Sequence, residues 1–331
     1  MNASKILLLL SCGGILAVTC IAGLAIGPAS LSVSDTLSAL LGSGGETNLL
    51  IVWQVRLPRV ILAVLIGGVL GLSGAVLQGF LRNPLAEPGL IGVSSAAALG
   101  AVVVFYSGLA SMFAWALPLG GVAGALVAAV AVWQLAGRAG DTLTLILAGV
   151  AVTGFASALT ALALNFAPNP FAASEIMFWL MGSLADRSFD HVWLALPFIA
   201  VGVLLLARVG PPLDALTLGE AAAASLGYDM GQIARRIILG TALTVGAATA
   251  VAGAIGFVGL VTPHLMRPLV GHRPAALLAP SAFAGAVLTL VADIVARVAA
   301  PAEELKLGVL TALLGAPFFL YLIYRHRRAE P

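Results

Sequence analysis

Residues 59–80 read RVILAVLIGGVLGLSGAVLQGF, and this stretch decides the fold class. Its single charge, Arg59, stands at the first position, and a helix of roughly 20 apolar residues is enough to span a bilayer. Gly67, Gly71 and Gly74 recur at helical spacing and share one face, which predicts close packing against a neighbouring helix. The stretch therefore predicts a tightly packed membrane-spanning helix.

The rest of the chain has the same apolar character. Of the 331 residues, 61% are hydrophobic and 9% are charged, whereas a soluble domain carries about 25% charged residues. So little charge cannot cover a surface that faces water, and a mean hydropathy of +1.10 indicates lipid as the main solvent. No basic cluster is large enough to follow a phosphate backbone, so we expect no nucleic-acid partner.

Ten apolar segments are predicted to span the membrane. Their approximate bounds are 6–27, 59–80, 90–108, 114–136, 142–164, 191–208, 234–251, 254–270, 276–298 and 307–324. Near the eighth segment, Gly253, Gly256 and Gly259 also recur at helical spacing, which predicts a second shared glycine face. A short apolar piece at 176–181 predicts a re-entrant or interfacial helix. Residues 1–331 are therefore predicted to form a single all-α, polytopic membrane domain.

The distribution of basic residues predicts the orientation. With the N-terminus placed in the cytoplasm, 11 of the 16 Lys and Arg residues fall inside and five outside. The positive-inside rule then supports an even number of spans with both termini cytoplasmic. The apolar run after Lys5 also resembles a signal peptide, but its length favours an uncleaved first helix.

Residue patterns that would carry covalent chemistry are missing from the sequence. The chain has two lysines, Lys5 and Lys306, and neither belongs to the Gly-Lys-Ser/Thr motif of a phosphate-binding loop. The four histidines and two cysteines show no metal-ligand spacing, and no catalytic dyad is apparent. We therefore predict no enzyme activity, metal site or bound cofactor, and any coupling to ATP requires another polypeptide. Asp293 and Arg297, four residues apart on one helix, predict a local ion pair.

The loop at 209–233 is predicted to lie in the cytoplasm. Pro211 and Pro212 are expected to stop the sixth span, and residues 213–229, LDALTLGEAAAASLGYD, predict a short helix with a glycine cap at its end. Leu216, Ala223 and Leu226 predict an apolar stripe on this helix. An exposed stripe there indicates a protein partner, and the alternative is a helix that lies on lipid.

Short motifs in order along the whole chain resemble one family, the permease subunits of the iron-siderophore, haem and cobalamin importers. These are type II ATP-binding-cassette (ABC) importers. The motifs are RLPR (56–59), GG (67–68), GLSGA (71–75), QG (78–79), RNPLAEP (82–88), GEAA (219–222), LG (226–227), GFVGL (256–260), PH (263–264), HR (272–273), AD (292–293) with Arg297, Glu304, GV (308–309) and GAPF (315–318).

The resemblance implies a ten-helix type II importer fold and a homodimer with the transport pathway at its two-fold axis. It also implies two cytoplasmic ATPase subunits that hold ATP and Mg, a periplasmic binding protein, and a place in the bacterial inner membrane. The implied cargo is an iron chelate, haem or a siderophore, and the alternative is cobalamin. An ion-coupled secondary transporter is a further alternative, although nearly every charge falls at a span end or in a loop.

Roles for particular residues also follow from the resemblance. The coupling helix, around 213–229, would contact the ATPase through Leu218, Gly219, Glu220, Ala221, Ala222, Leu226 and Gly227. The cytoplasmic gate would comprise Asn83, Leu85, Asp141 and Thr142. Arg56, Arg59 and Arg297 would dock the binding protein, and we expect Arg56 and Arg59 to lie outside the helix packing. The fifth span and the short helix after it would line the pathway. Lys306 departs from the family pattern, which more often has an uncharged residue or proline there.

Overall fold

The computed structural model describes residues 3–29, 31–113, 115–136, 142–167, 169–300 and 305–329, and these ranges contain helices without any β-strand. The helices are α1 (Ala3–Ala25), α2 (Val33–Leu40), α3 (Glu46–Leu50), α4 (Leu57–Phe80), α5 (Val93–Tyr106), α6 (Leu109–Met112), α7 (Ala116–Ala136), α8 (Thr142–Asn165), α9 (Pro170–Leu180), α10 (Phe189–Ala207), α11 (Gly210–Leu216), α12 (Glu220–Ser225), α13 (Met230–Ala252), α14 (Val258–Met266), α15 (Pro274–Ala299) and α16 (Leu307–Ala329). A π-helical turn, Ile51–Arg56, joins α3 to α4.

Seven helical stretches among the described residues are long and apolar enough to cross a membrane. They contain α1, α4, α7, α8, α10, α13 and α15, and α4 belongs to a continuous stretch that begins at Glu46. The shorter apolar helices α5 and α16 occupy the third and tenth predicted spans. The short helix predicted around 176–181 is confirmed as α9. The all-α polytopic fold is thus confirmed.

The predicted eighth span, 254–270, is wrong as a continuous helix. α13 ends at Ala252, and the backbones of Gly253 and Phe257 are left-handed, with φ of 74° and 66°. α14 then has only nine residues and continues as a 3-10 turn, Arg267–Val270. At about 1.5 Å per residue, α14 covers about 14 Å, roughly half of the hydrocarbon core. The three glycines near this segment therefore do not share one helix face.

The glycine face of α4 packs as the sequence predicts. A Cβ atom built on Gly67, Gly71 or Gly74 would overlap the carbonyl oxygen of Gly285, Ser281 or Gly259, respectively. Glycine at these positions therefore brings the backbone of α4 against the backbones of α15 and α14. Most of α4 and α13 is buried, whereas α1 lies at the periphery with most of its surface exposed.

Replacing Gly74 with Ala should destabilise the fold by about 1–3 kcal/mol, the usual cost of overpacking, because the new methyl group would overlap the Gly259 carbonyl. Gly68→Ala is the matched control on the same helix, since its Cβ meets nothing nearer than the Ala282 carbonyl oxygen at 3.7 Å. Thermal unfolding of both variants in detergent measures the difference. Equal melting temperatures would contradict the close backbone contact.

Candidate functional sites at the two ends of α4

α4 connects the two groups of predicted functional residues. Arg56 and Arg59 stand at its first turn, and the predicted gate follows its last residue, Phe80. Its 24 residues extend about 36 Å, so the groups lie at opposite ends of the bundle. We name the first the arginine end, residues 23–29, 56–59 and 293–297. The other is the loop end, residues 81–87, 210–229 and 267–273.

At the arginine end, two arginines share the buried carboxylate of Asp293. Arg59 donates from Nε and Nη2 to Oδ1 at 3.0 and 2.8 Å, and Arg297 Nη2 lies 2.7 Å from Oδ2. The predicted Asp293–Arg297 ion pair is confirmed. Arg59 is a second partner from a distant part of the chain, and together they form charge-assisted, forked contacts of the kind arginine favours.

Arg56 and Arg297 also close the C-terminal end of α1. The last carbonyls of a helix have no partner within that helix. Arg56 Nη1 donates to the carbonyl oxygens of Leu24 and Ala25 at 2.6 and 2.7 Å, and Arg297 Nη1 donates to that of Gly23 at 2.9 Å. The helix dipole favours positive charge at this end, so the two guanidinium groups act as a C-terminal cap.

The expectation that Arg56 and Arg59 lie outside the helix packing is wrong. Arg56 and Arg297 are 3% and 8% exposed, and the Arg59 side chain is 17% exposed. The reason is that the α1 carbonyls and the buried Asp293 carboxylate both require donors at this depth. The docking role stays a prediction, and Arg59 is the most accessible of the three side chains.

Replacing Asp293 with Asn should cost about 3–5 kcal/mol of stability, because it leaves two guanidinium groups without their counter-charge in a buried site. Glu46→Gln, which neutralises an exposed carboxylate of α3, serves as the control. The measurement is the melting temperature of each purified variant in one detergent. If Asp293→Asn and the control have the same melting temperature, the cluster does not stabilise the bundle.

At the loop end, the predicted gate residues Asn83 and Leu85 lie in the connection between α4 and a 3-10 turn, Pro88–Ile91. The Asn83 side chain accepts the N–H of Leu85 at 2.9 Å, which fixes a local turn. Leu85 remains half-exposed in the single chain. Asp141 and the side chain of Thr142 lie outside the described residues, so the other half of the predicted gate is not described.

Glu87 is a half-buried acid in the same connection, and the sequence analysis missed it. Its Oε1 accepts the N–H of Phe257 at 2.6 Å, directly before α14. A carboxylate there satisfies a donor that the helix leaves free and is stabilised by the helix dipole. Burial raises the pKa of the Glu87 carboxyl, and the hydrogen bond from Phe257 opposes that shift. The sequence signal that could have identified Glu87 is that it is the only charged residue in the apolar end of the motif RNPLAEP.

The predicted coupling helix is two short helices, α11 and α12, instead of one. Gly219, with φ of 102°, separates them, and Gly227, with φ of 88°, follows the end of α12. The predicted glycine cap at the end of the segment is thereby confirmed. The sixth span ends at Ala207, before Pro211 and Pro212, and the two prolines lie in the first turn of α11, where proline fits without losing a hydrogen bond.

The predicted apolar stripe of this segment is also wrong. Leu216 and Ala223 are buried against the bundle. The exposed apolar side chains are instead Leu218 and Leu226, which are 73% and 62% exposed and flank α12. The break at Gly219 changes the direction of the chain, so a stripe counted on one continuous helix does not apply.

Polar contacts hold the coupling segment to the bundle. Asp214 of α11 accepts from Arg273 at 2.6 Å and from the N–H of Ala275, at the start of α15, at 2.9 Å. Glu220, the first residue of α12, lies 3.5 Å from Arg82, which follows α4. The coupling segment thus contacts both the start of α15 and the connection that carries the predicted gate.

A groove of about 690 Å³ lies between α5, α7 and α8. Its lining consists of Ala, Gly, Val, Leu and Phe side chains, among them Leu99, Val127 and Phe155. Within the described ranges, no group of three or more His, Cys, Asp or Glu residues is placed to hold a metal ion. The groove offers apolar surface and shape but no group for covalent chemistry.

Two solved structures share this arrangement of helices. One, described as an inward-facing metal-chelate type ABC transporter, has a TM-score of 0.85 at 32% identity and covers 97% of this chain and 99% of its own. PsaBC from Streptococcus pneumoniae, in complex with Fab, has a TM-score of 0.51 at 18% identity over 80% and 90% of the two chains, a likeness of fold alone. The bundle is that of an ABC importer permease, a multi-pass membrane protein.

Within that class, the chain belongs to the FecCD transport family, whose model matches residues 15–325. Relatives named vitamin B12 import system permease protein BtuC, from Salmonella paratyphi A, Salmonella typhi and Salmonella newport, are each 41% identical over 290 residues and cover 87% of both chains. The resemblance drawn from the ordered motifs is confirmed, as is the type II importer fold. These relatives are permease subunits, not enzymes.

Proposed function

We propose that the chain is one half of a homodimeric permease that moves a metal chelate from the periplasm to the cytoplasm by alternating access. A separate ATPase subunit, with ATP and Mg, drives the cycle, and this chain performs no covalent chemistry. The loop end faces the cytoplasm of a bacterial cell, and both termini lie on that side of the inner membrane. The observation that carries the proposal is the solvent exposure of Leu218 and Leu226, which flank α12.

These two leucines support a coupling role because they are apolar side chains exposed beside charged ones. Burying a leucine in a partner's groove contributes about 1.5–3 kcal/mol. The contacts of Asp214 and Glu220 hold α11 and α12 against the bundle. A displacement of this segment would therefore be transmitted to the bundle. Gly219, Ala221, Ala222 and Gly227 add small residues that let a partner approach the backbone closely.

Leu218→Asp and Leu226→Asp should each uncouple the permease from its ATPase, because a charge in an apolar contact loses the burial energy and adds a desolvation cost. Transport should fall at least about tenfold, which corresponds to a loss of about 1.4 kcal/mol. Leu41→Asp, at an exposed leucine beside α2, is the control. Co-purification with the ATPase and transport in proteoliposomes measure the effect. Transport at the control level in both variants would remove the coupling role.

The arginine end would receive the periplasmic binding protein. The arginine end holds three arginines and one carboxylate, and two of the arginines pair with it, so the cluster keeps excess positive charge that suits glutamates on a partner. Since Arg56 and Arg297 are committed to α1, Arg59 is the side chain that would reach the partner. Association rates measured at two salt concentrations with Arg59→Gln would test this role, and an unchanged rate and salt dependence would refute it.

The loop after α4 would hold the cytoplasmic gate. Leu85 keeps a free apolar surface in the single chain, as an interface with its copy across the dimer axis requires. Asn83 fixes the turn that presents Leu85. Asp141 and Thr142 would complete the constriction, and α8 and α9 would line the pathway.

Among metal chelates, cobalamin is the cargo that the relatives favour, because the 41% identical sequences are named vitamin B12 permeases. The motif resemblance places iron chelates, haem or a siderophore, first, and the metal-chelate transporter of like fold is compatible with either class. In both cases the metal crosses inside its organic ligand, which agrees with the apolar groove beside α8.

In a host that lacks its own cobalamin permease, expression of this chain with its ATPase and binding protein should restore uptake of radiolabelled cobalamin. Leu226→Asp, made in parallel, separates coupled transport from leakage. Uptake of labelled ferric siderophore or haem in place of cobalamin would reassign the cargo to iron chelates. Uptake without the ATPase would contradict an ATP-driven importer and favour a secondary transporter.

A further inference from the structure

Residues 81–87, which we call the linker, follow α4 and contact two further elements of the bundle. The linker begins directly after α4 and carries the proposed gate residue Leu85. Arg82 reaches the coupling helix α12, and Glu87 reaches the break before α14. One short connection therefore joins the ATPase-facing surface, the gate and the interrupted helix.

Two residues of this connection have an unusual backbone conformation. Arg82, in the linker, and Phe257, the partner of Glu87, both adopt left-handed conformations, with φ of 50° and 66°. Residues other than glycine rarely adopt this conformation, and it persists where surrounding contacts enforce it. Among the contacts at those two positions are the ion pair of Arg82 with Glu220 and the hydrogen bond from Phe257 to Glu87.

Most of α14 is fixed to α4, whereas Phe257, directly before its first residue, contacts the linker and α16. Gly259 packs against the backbone of α4 at Gly74. Gln78 of α4 accepts from Arg267, just beyond α14, at 2.6 Å. The N-terminal end of α14, by contrast, is joined to the linker by the carboxylate of Glu87. A shift of the linker therefore acts on the break between α13 and α14.

We propose that the linker transmits displacement of the coupling helix to the α13–α14 break, with Glu87 as the positioning residue that couples the two. The role in transport rests on the proposed function, whereas the mechanical connection belongs to the chain alone. Arg82 is the input contact, and the Glu87–Phe257 hydrogen bond is the output contact. Leu85 lies between them, so the gate moves with the same segment.

Hydrogen–deuterium exchange of the full-length permease in nanodiscs tests the connection without a partner. The observed peptide is 253–262, which contains the Phe257 amide. Glu220→Arg places two cations together and should raise exchange there about threefold, in keeping with the energy of an exposed ion pair. Adding Arg82→Glu restores opposite charges and should return exchange to the original rate.

Glu87→Gln should raise exchange of the same peptide by itself and remove its response to Glu220→Arg. Asp35→Asn is the control, because Asp35 also caps a helix with its carboxylate, but in α2. It should leave peptide 253–262 unchanged. If Glu220→Arg leaves that peptide unchanged while Glu87→Gln raises its exchange, the linker does not transmit and the proposal is overturned. No response in either variant overturns it as well.

A second readout separates this inference from the proposed gate. Leu85→Cys should cross-link between protomers in some nucleotide states of the complex with its ATPase and not in others. Glu87→Gln in that background should abolish the dependence on nucleotide state while ATP hydrolysis continues. If Leu85→Cys never cross-links, the gate assignment fails and the exchange result still decides the linker. State-dependent cross-linking that survives Glu87→Gln would overturn the role of Glu87.

Discussion

Glycine at positions 67, 71 and 74 removes the side chains that would otherwise hold α4 away from α15 and α14. In a bilayer the surrounding lipid is as apolar as the helices, so close van der Waals packing, rather than exclusion of water, holds such helices together. The short distance between α4 and α15 brings Arg59 to Asp293 at one end. The contact with α14 brings Gln78 beside the carbonyls of Gly259 and Leu260 near the other. Both candidate sites therefore depend on the same backbone contact.

The arginine end shows how a membrane protein tolerates several charges at a helix end. Ionisable groups in or near the hydrocarbon region are costly unless they are paired or hydrogen-bonded. Asp293 supplies the counter-charge, and the carbonyls at the end of α1 supply acceptors for the remaining donors. In the proposed orientation, with the arginine end outside, these contacts explain why arginines persist on a side where the positive-inside rule disfavours them. A docking function, if it is added to this structural one, has Arg59 as its accessible group.

Features that depend on local periodicity were predictable from the sequence. The apolar segments, the glycine face of α4, the short α9, the glycine after α12 and the i,i+4 pair of Asp293 with Arg297 all follow from residues close together in the chain. The predicted end of the seventh span at 251 agrees with the end of α13 at Ala252, but the late start of α14 was not predictable, because the left-handed residue directly before it is Phe257, a residue type that gives no such signal.

Contacts between residues far apart in the chain also could not be predicted from the sequence. Arg59 meets Asp293 across 234 positions, and Glu87 meets Phe257 across 170. The burial of Leu216 depends on how α11 packs against the bundle, which periodicity within the loop does not reveal. The motifs singled out Arg56, Arg59 and Arg297, but the burial of these arginines follows only from tertiary contacts.

The closure of α1 by Arg56 and Arg297 has a consequence for biogenesis. α1 is synthesised well before α15, yet one of the two guanidinium groups that hold its end belongs to a residue 274 positions later than Gly23. With little of its surface packed against other helices, α1 has few other attachments that fix its depth and rotation. The end of α1 therefore gains its full set of contacts only when α15 has been made, and before that point it is held by Arg56 alone. Quality control that senses an unanchored α1 would therefore report on synthesis through α15.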